Sequence, residues 1–389
     1  MRKIGGMETP IQATIPSMNA SARRPARRVA LVHDYLVQDG GAERVLGVLQ
    51  TMFPDAPTFV LIHDAGRSHA QFRGRDIRTS FLDRWPFAHR AYQWYLPLMP
   101  IAVEHLDLSG FDLVISSSSS FAKGVIAAPD SIHVCYCHTP TRFLWQERIG
   151  YLNDLPQPQI MRLLLPPLLH RLRQWDRLAA ERPDVMLTNS ETSRARIRRY
   201  YGRESHVIHP PVEISSIPIG SGPGAYWLAG GRLVGYKRFD LVVKAFAKLN
   251  LPLKVFGIGP ELAKLRAIAG PKTAFLGHVD DATKATLYRD AIGYVSPQIE
   301  DFGITIIEAM AAGRPVVTFG QGGAKETVLP GVTGIHIEAQ AWEDIGDAII
   351  RFDASRFDPK AIRAHAETFS TERFAAKMRE FLDLHALAS

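Results

Sequence analysis

SPQIEDFGITIIEAMAAGRPVVTF, from Ser296 to Phe319, decides how the rest of this chain is read. The apolar run Ile292 to Val295 before it has the character of a short buried strand, Ser296-Pro297-Gln298 interrupts that run, and Ile304, Ile307, Glu308 and Ala311 recur at helical spacing. Gly313-Arg314-Pro315 then stops the helix ahead of the apolar Val316-Val317. The segment therefore reads strand, loop, helix, strand. At its loop-to-helix junction the backbone amides of Phe302, Gly303, Ile304 and Thr305 precede the helical ladder, and the helix dipole adds positive character, so an anion is favoured there. Glu300 and Glu308 flank this junction, eight positions apart.

The same plan recurs outward in both directions. Arg28 to His33 predicts a buried strand, followed by a turn from Asp34 to Gly41 and a helix carrying Val45, Leu46, Leu49 and Phe53. Further strands are expected at Thr58 to Ile62, Leu113 to Ser116, Ile132 to Cys137 and Val185 to Thr188, with helices at Ile160 to Arg182 and Ser190 to Tyr201. His209-Pro210-Pro211 breaks the periodicity, and Ser215 to Gly224 is rich in Ser, Pro and Gly, which marks a linker over residues 210–224. A second series begins with a strand at Tyr226 to Ala229, repeats at Val255 to Glu261 and Phe275 to Val279, and ends in helices near 341–352, 359–367 and 372–387. Strands alternating with helices on both sides of a linker predict an α/β protein of two parallel-sheet domains, residues 29–209 and 225–369, facing a cleft.

The formal charge of +7 is concentrated at the start, where residues 1–28 hold six basic residues against Glu8 alone and leave +2 for the remainder. That distribution weakens a nucleic-acid reading. The basic leader is expected to be a disordered tail, or to reflect initiation at Met7 or Met18 instead. No stretch approaches the roughly 20 apolar residues of a membrane span, so a cytoplasmic protein is expected, in contact at most with the inner face of a membrane. Cys135 and Cys137 are expected on opposite faces of their strand, as small apolar residues of a reducing compartment and neither a disulfide nor a metal site.

Several side chains stand out for chemistry. Gly230 to Arg238, GGRLVGYKR, places Arg232 and Lys237 on a glycine-rich loop opening a helix, which suits a diphosphate. His138 and Arg142 follow the strand that ends in Cys137, where open α/β sheets place ligands. The serines 116–120 are expected to line the same cleft or a solvated loop. In Phe81 to His105 the aromatic residues Trp85, Phe87, Tyr92, Trp94 and Tyr95 alternate with Arg84, His89 and Arg90, which fits a membrane interface, a sugar-stacking groove or a packed helix. Arg194, Arg196, Arg198 and Arg199 form either a solvated face or one for anionic lipid.

Four motifs carry a resemblance. EDFGITIIEAMAAGRPVV resembles the E-x7-E signature of the retaining glycosyltransferases of family 4, GGRLVGYK resembles that family's G-R-L-x-x-x-K, and Asp39-Gly40-Gly41-Ala42-Glu43 and Cys137-His138-Thr139-Pro140-Thr141-Arg142 resemble its GG-x-E and C-H-T-P-x-R stretches. The resemblance covers most of residues 29 to 385 and implies the GT-B fold, with the last helix, 370–387, crossing back onto the first domain. It implies that Glu300 contacts the donor sugar and Glu308 the ribose. Arg232 and Lys237 would meet the diphosphate, with Phe302 to Thr305, Gly257 and Gly259 also on the donor side. Backbone near Val279 would read the base, His138 would lie near the donor sugar, and the Gly40-Gly41 turn between phosphate and acceptor. Asp34, Arg142, Trp85 and Tyr92 are expected on the acceptor side. The closest resemblance is to bacterial enzymes that add mannose to lipid-linked or polysaccharide acceptors, so GDP-mannose is the first expectation for the donor. No Asp-x-Asp occurs, and neither a metal nor another cofactor is expected. A nucleotide-sugar epimerase of the same architecture and a non-catalytic nucleotide-sugar binder are the alternatives.

Overall fold

A computed structural model describes residues 27–38, 40–146 and 159–385, so the leader expected at 1–28 lies almost wholly outside the described residues. The first sheet is formed by β1 (Val29–Leu36), β2 (Thr58–His63), β3 (Ile77–Thr79), β4 (Leu113–Ser118), β5 (Ile132–Cys137), β6 (Val185–Thr188) and β7 (His206–Val207). Every strand is parallel, in the order β3-β2-β1-β4-β5-β6-β7. The second sheet holds β8 (Tyr226–Gly230), β9 (Leu253–Phe256), β10 (Thr273–Gly277), β11 (Ala291–Ser296), β12 (Val316–Phe319) and β13 (Gly334–Ile337), again parallel, in the order β10-β9-β8-β11-β12-β13. Both central strands, β1 and β8, are apolar over most of their length because a parallel sheet is covered by helices on both faces.

In each sheet the order reverses beside the first strand, between β1 and β4 and between β8 and β11. At such a point neighbouring loops leave in opposite directions and open a crevice beyond the strands' carboxyl ends. The loops after β1, β4, β8 and β11 include most of the chemistry-bearing residues singled out above. Register also fixes local neighbours: His33 of β1 pairs with Ser117 of β4, and Ser117 with Tyr136 of β5.

The two halves are joined near 207–214 and again where Val212 bridges to Ser370. Beyond that bridge the Thr371–Leu384 helix lays Phe374, Met378 and Leu382 among Leu31, Leu46 and Tyr136 of the first domain. A Cβ on Gly41 would fall 2.6 Å from Cδ1 of Ile304, so the first domain's glycine turn lies against the start of the Ile304–Ala311 helix of the second.

Several local expectations are corrected. Ser116, Ser117 and Ser118 belong to β4 itself and are buried, because their hydroxyls find partners inside the sheet. Cys135 and Cys137 share one face, as the two-residue repeat of a strand requires, and pack in one cluster with Met186, Ile197 and Tyr201. Residues 81–104 form short helical turns, Phe81–Arg84, Ala88–Ala91, Tyr92–Leu98 and Met99–Glu104, because Pro86, Pro97 and Pro100 interrupt the backbone ladder.

Candidate active site

The loop after β11 turns through Gly303 at φ +94°, a left-handed conformation that favours glycine, and enters the Ile304–Ala311 helix. Its first ladder bond runs from Ile306 N–H to the Gly303 carbonyl at 3.0 Å, so the amides of Phe302 to Thr305 come before the ladder. Gly257, at φ +113°, allows the turn after β9 to touch the turn after β8, since a Cβ there would lie 1.8 Å from the Gly231 carbonyl. Gly259 packs in the same way on Leu233, and Val279 is half-buried against the core beyond β10.

Glu300 and Lys237 meet directly, Nζ to Oε1 at 2.9 Å, with Gln298 Nε2 donating to the same oxygen at 3.2 Å. Burial opposes charge on Glu300, but Lys237 and then Arg142 outweigh it, so its pKa is held below the ordinary carboxylate value. The next residue, Asp301, receives Arg142 at 2.5 Å and also Arg196 of the Glu191–Tyr201 helix, both from the other domain. Arg142 also lies over the Tyr236 ring. Its guanidinium is therefore committed to the facing domain in this structure, where the sequence suggested an acceptor-side anion contact.

Glu308 is 3% exposed and enclosed by donors from both domains. Arg44 Nη1 reaches Oε1 at 2.8 Å, Lys284 Nζ stands 3.2 Å from the same atom, and the Tyr288 hydroxyl donates to Oε2 at 2.9 Å. Burial raises the Glu308 pKa, and Lys284, Arg44 and Tyr288 together bring it below the ordinary value. A cavity of about 370 Å³ adjoins this carboxylate between the domains, with Arg44, Gln71, Asp281 and Lys284 on its walls. A second space of about 530 Å³ lies across Ile299, lined by Arg142, Arg196, Arg199, Arg238, Tyr200 and Tyr236.

His138 is buried, and its Nε2 stands 2.9 Å from the Ser117 hydroxyl. Burial, and next the neighbouring His33, push its pKa down to about 3. His33 Nδ1 faces both the carbonyl and the hydroxyl of Ser117 at 3.1 Å. A carbonyl only accepts, so His33 Nδ1 carries the hydrogen it gives to Ser117, and the Ser117 hydroxyl links His33 to His138.

Asp34 is turned inward. Its two oxygens accept four backbone amides, from Ser119 and Ser120 and from Phe121 and Ala122, at 2.6 to 2.9 Å. It shapes the loop after β4, which corrects the acceptor-side expectation. Tyr92 packs on Tyr35, and its surroundings include Arg232 and Glu43. Trp85 is set apart from these groups on an exposed aromatic surface with Phe81 and Tyr95. Arg232 is exposed on its glycine loop, its Nη2 3.4 Å from the Tyr236 hydroxyl.

The structure thus joins Lys237 to Glu300 and gathers Glu308, His138 and Arg142 around one cleft, while Trp85 stays outside it. Sequence reasoning passed over Asp301, Arg44, Tyr288 and Lys284. For Asp301 a signal was present, since it is an acidic residue adjoining the loop that presents Glu300. Among the described residues no group of three or more His, Cys, Asp or Glu could hold a metal ion, and no helix is long and apolar enough to cross a membrane.

Comparison with known proteins agrees with this architecture. The family model for glycosyl transferases group 1 matches residues 223–383, and that for glycosyltransferase family 4 matches residues 39–216. D-inositol 3-phosphate glycosyltransferases of Mycobacterium bovis and Mycobacterium tuberculosis are 28% identical over 221 residues, covering 49% of this chain and 46% of theirs. The chain spans about half the length of the curated relatives it matches. Among solved structures, Anabaena HepE in complex with UDP and glucose superposes with a TM-score of 0.70 at 18% identity, covering 92% of this chain and 99% of that one. Sucrose-phosphate synthase from Thermosynechococcus elongatus gives 0.68 at 17%, covering 92% and 100%. These likenesses show a GT-B fold, and with the two matched halves the chain belongs to the group 1 glycosyltransferases of family 4.

Proposed function

We propose that the protein transfers a hexosyl group from a nucleoside-diphosphate sugar to an acceptor hydroxyl, retaining the anomeric configuration and using no metal ion. The observation that carries this reading is the Lys237–Glu300 ion pair, which joins the glycine loop carrying Arg232 to the loop that opens the Ile304–Ala311 helix. Two cations and a helix start offset the charge that grows on a departing diphosphate, provided they favour the transition state over bound donor. Glu300 then takes hydroxyls of the donor sugar. Glu308 takes the ribose hydroxyls, in exchange with the Arg44 guanidinium that now occupies it. His138, kept neutral by burial, lies beside the donor sugar. The acceptor oxygen bonds to the anomeric carbon on the face the diphosphate leaves, and the hydroxyl proton passes to the departing phosphate oxygen. Closure of the domains excludes water and limits donor hydrolysis.

GDP-mannose is the first donor to try, with a lipid-linked or polysaccharide acceptor met at the cytoplasmic membrane face. The membrane part rests on Trp85, Phe87 and Trp94, which are 42%, 69% and 66% exposed beside Arg84 and Arg90. A thermal-shift panel of GDP-mannose, UDP-glucose and UDP-N-acetylglucosamine tests donor binding, since a ligand of the folded state raises its melting temperature. Proton NMR of the product then reads its anomeric configuration. No shift with any donor, or an inverted product, would overturn the proposal.

A further inference from the structure

Glu43 is 3% exposed in the first turn of the Gly41–Met52 helix, and its two oxygens are treated differently. Oε1 receives Gln38 Nε2 at 3.4 Å and faces His33 Nε2 at 3.9 Å. Oε2 is buried without a hydrogen-bond partner. A carboxylate oxygen left so is rare in a folded interior and points to a ligand. Its direction is given by Gly40, where a Cβ would sit 2.9 Å from Oε2, so the oxygen is open only through a glycine that is itself half-exposed. The free oxygen therefore lies beneath the Gly40–Gly41 turn, and Gly41 in turn lies against Ile304 of the second domain.

We propose that Glu43 Oε2 binds a hydroxyl of the acceptor, while Gln38 Nε2 donates to the other oxygen and leaves Oε2 for the ligand. This rests on the glycosyltransferase reading and deepens it. A buried carboxylate accepts hydrogen bonds and repels anions. The acceptor is thus an uncharged polyol or sugar where it passes Gly40, and a phosphate ester or carboxylate at that point is rejected. Glu43 thus makes direct contact with substrate.

The test uses the full chain, the donor that gives the largest thermal shift, and octyl glycosides as acceptors. Glu43→Gln keeps the shape and removes the charge. The acceptor KM should rise about tenfold to a hundredfold, as expected when a charge-assisted hydrogen bond is lost, while the donor-induced melting shift persists. Gly40→Ala leaves the carboxylate intact and covers Oε2 with a methyl group at an extended backbone position, so the acceptor KM should rise by a similar factor. Unchanged acceptor KM in both Glu43→Gln and Gly40→Ala overturns the proposal, as does equal loss of the donor shift in Glu43→Gln. A wild-type protein that no nucleotide sugar stabilises refutes the underlying reading instead, so the two failures are told apart.

Discussion

Replacing Asp301 with Asn removes one charge from the point where three side chains lock the domains together. The carboxylate retains 13% of its surface and meets Arg142 and Arg196, which are 25% and 20% exposed. Burial disfavours the Arg142 cation, and Asp301 more than offsets this, holding the guanidinium above its ordinary range. A charged hydrogen bond of this kind contributes about 1.5–3 kcal/mol when buried, and an exposed pair below about 1 kcal/mol. Two bonds in this intermediate setting give a loss of about 2–3 kcal/mol for Asp301→Asn. For domains of this size that lowers the melting temperature by about 4–12 °C. The stability assay is a thermal melt followed by tryptophan fluorescence, with Arg196→Met as the second arm of a double-mutant cycle. A coupling energy of about 1–2 kcal/mol is expected, because the two residues touch. Most of the coupling should survive 1 M sodium chloride, since screening acts weakly on partly buried pairs. Asp301 also adjoins Glu300, so kcat should fall about tenfold through misplacement of the donor loop. A coupling within about 0.3 kcal/mol of zero, the additivity error, would refute the claim that this cluster holds the closed arrangement.

Further outcomes follow from the same geometry. Lys237→Ala should lower kcat about a hundred- to a thousandfold while the protein stays folded, the range for one lost electrostatic donor; near-normal turnover in a coupled assay for released nucleoside diphosphate would contradict its role. Glu308→Gln should weaken donor binding, read as a smaller donor-induced melting shift, because the neutral amide holds ribose hydroxyls less strongly. Transfer should persist in excess EDTA, and a strict requirement for added manganese or magnesium would end the metal-free account. Acid should destabilise the fold through His138 and His133, whose pKa values burial pushes to about 3 and about 4 from 6.5. The unfolded chain takes up these protons first, so stability present above pH 6.5 is lost as pH falls toward that range, by about 1.4 kcal/mol per pH unit for each group. Melting temperatures from pH 7 to 4.5 should show the slope, and His138→Gln should reduce it.

Much of the fold was legible because parallel strands buried on both faces appear as uninterrupted apolar runs such as Val114-Ile115 and Val316-Val317, each bounded by a turn residue. The edge strands Ile77–Thr79 and His206–Val207 carry no such run, and their pairing is set by the neighbouring strand. Ser116 to Ser118 misled for a related reason: polar side chains signal a loop in sequence, whereas here hydroxyls are satisfied inside the sheet. In the candidate site, loop residues with charge or glycine stood out, and Lys237 does meet Glu300. What sequence withheld were the contacts made across the cleft. Arg44 on Glu308, and Arg142 with Arg196 on Asp301, join residues from 105 to 264 positions apart. Local periodicity contains no information at that range. Asp34 was misread because a carboxylate after a strand can face a ligand or gather backbone amides, and only the path of residues 119–122 decides between them.

The final helix has a consequence for how the molecule comes into being. Phe374, Met378 and Leu382 complete a core whose other members include Leu31 and Leu46, so the first domain lacks part of its interior until residues 374–382 leave the ribosome. The second half, made later, contains its own core and can finish earlier. Contacts so distant along the chain close slowly and leave apolar surface uncovered meanwhile. Truncation ahead of Phe374 should therefore yield aggregation during synthesis, even though the cleft residues are all present.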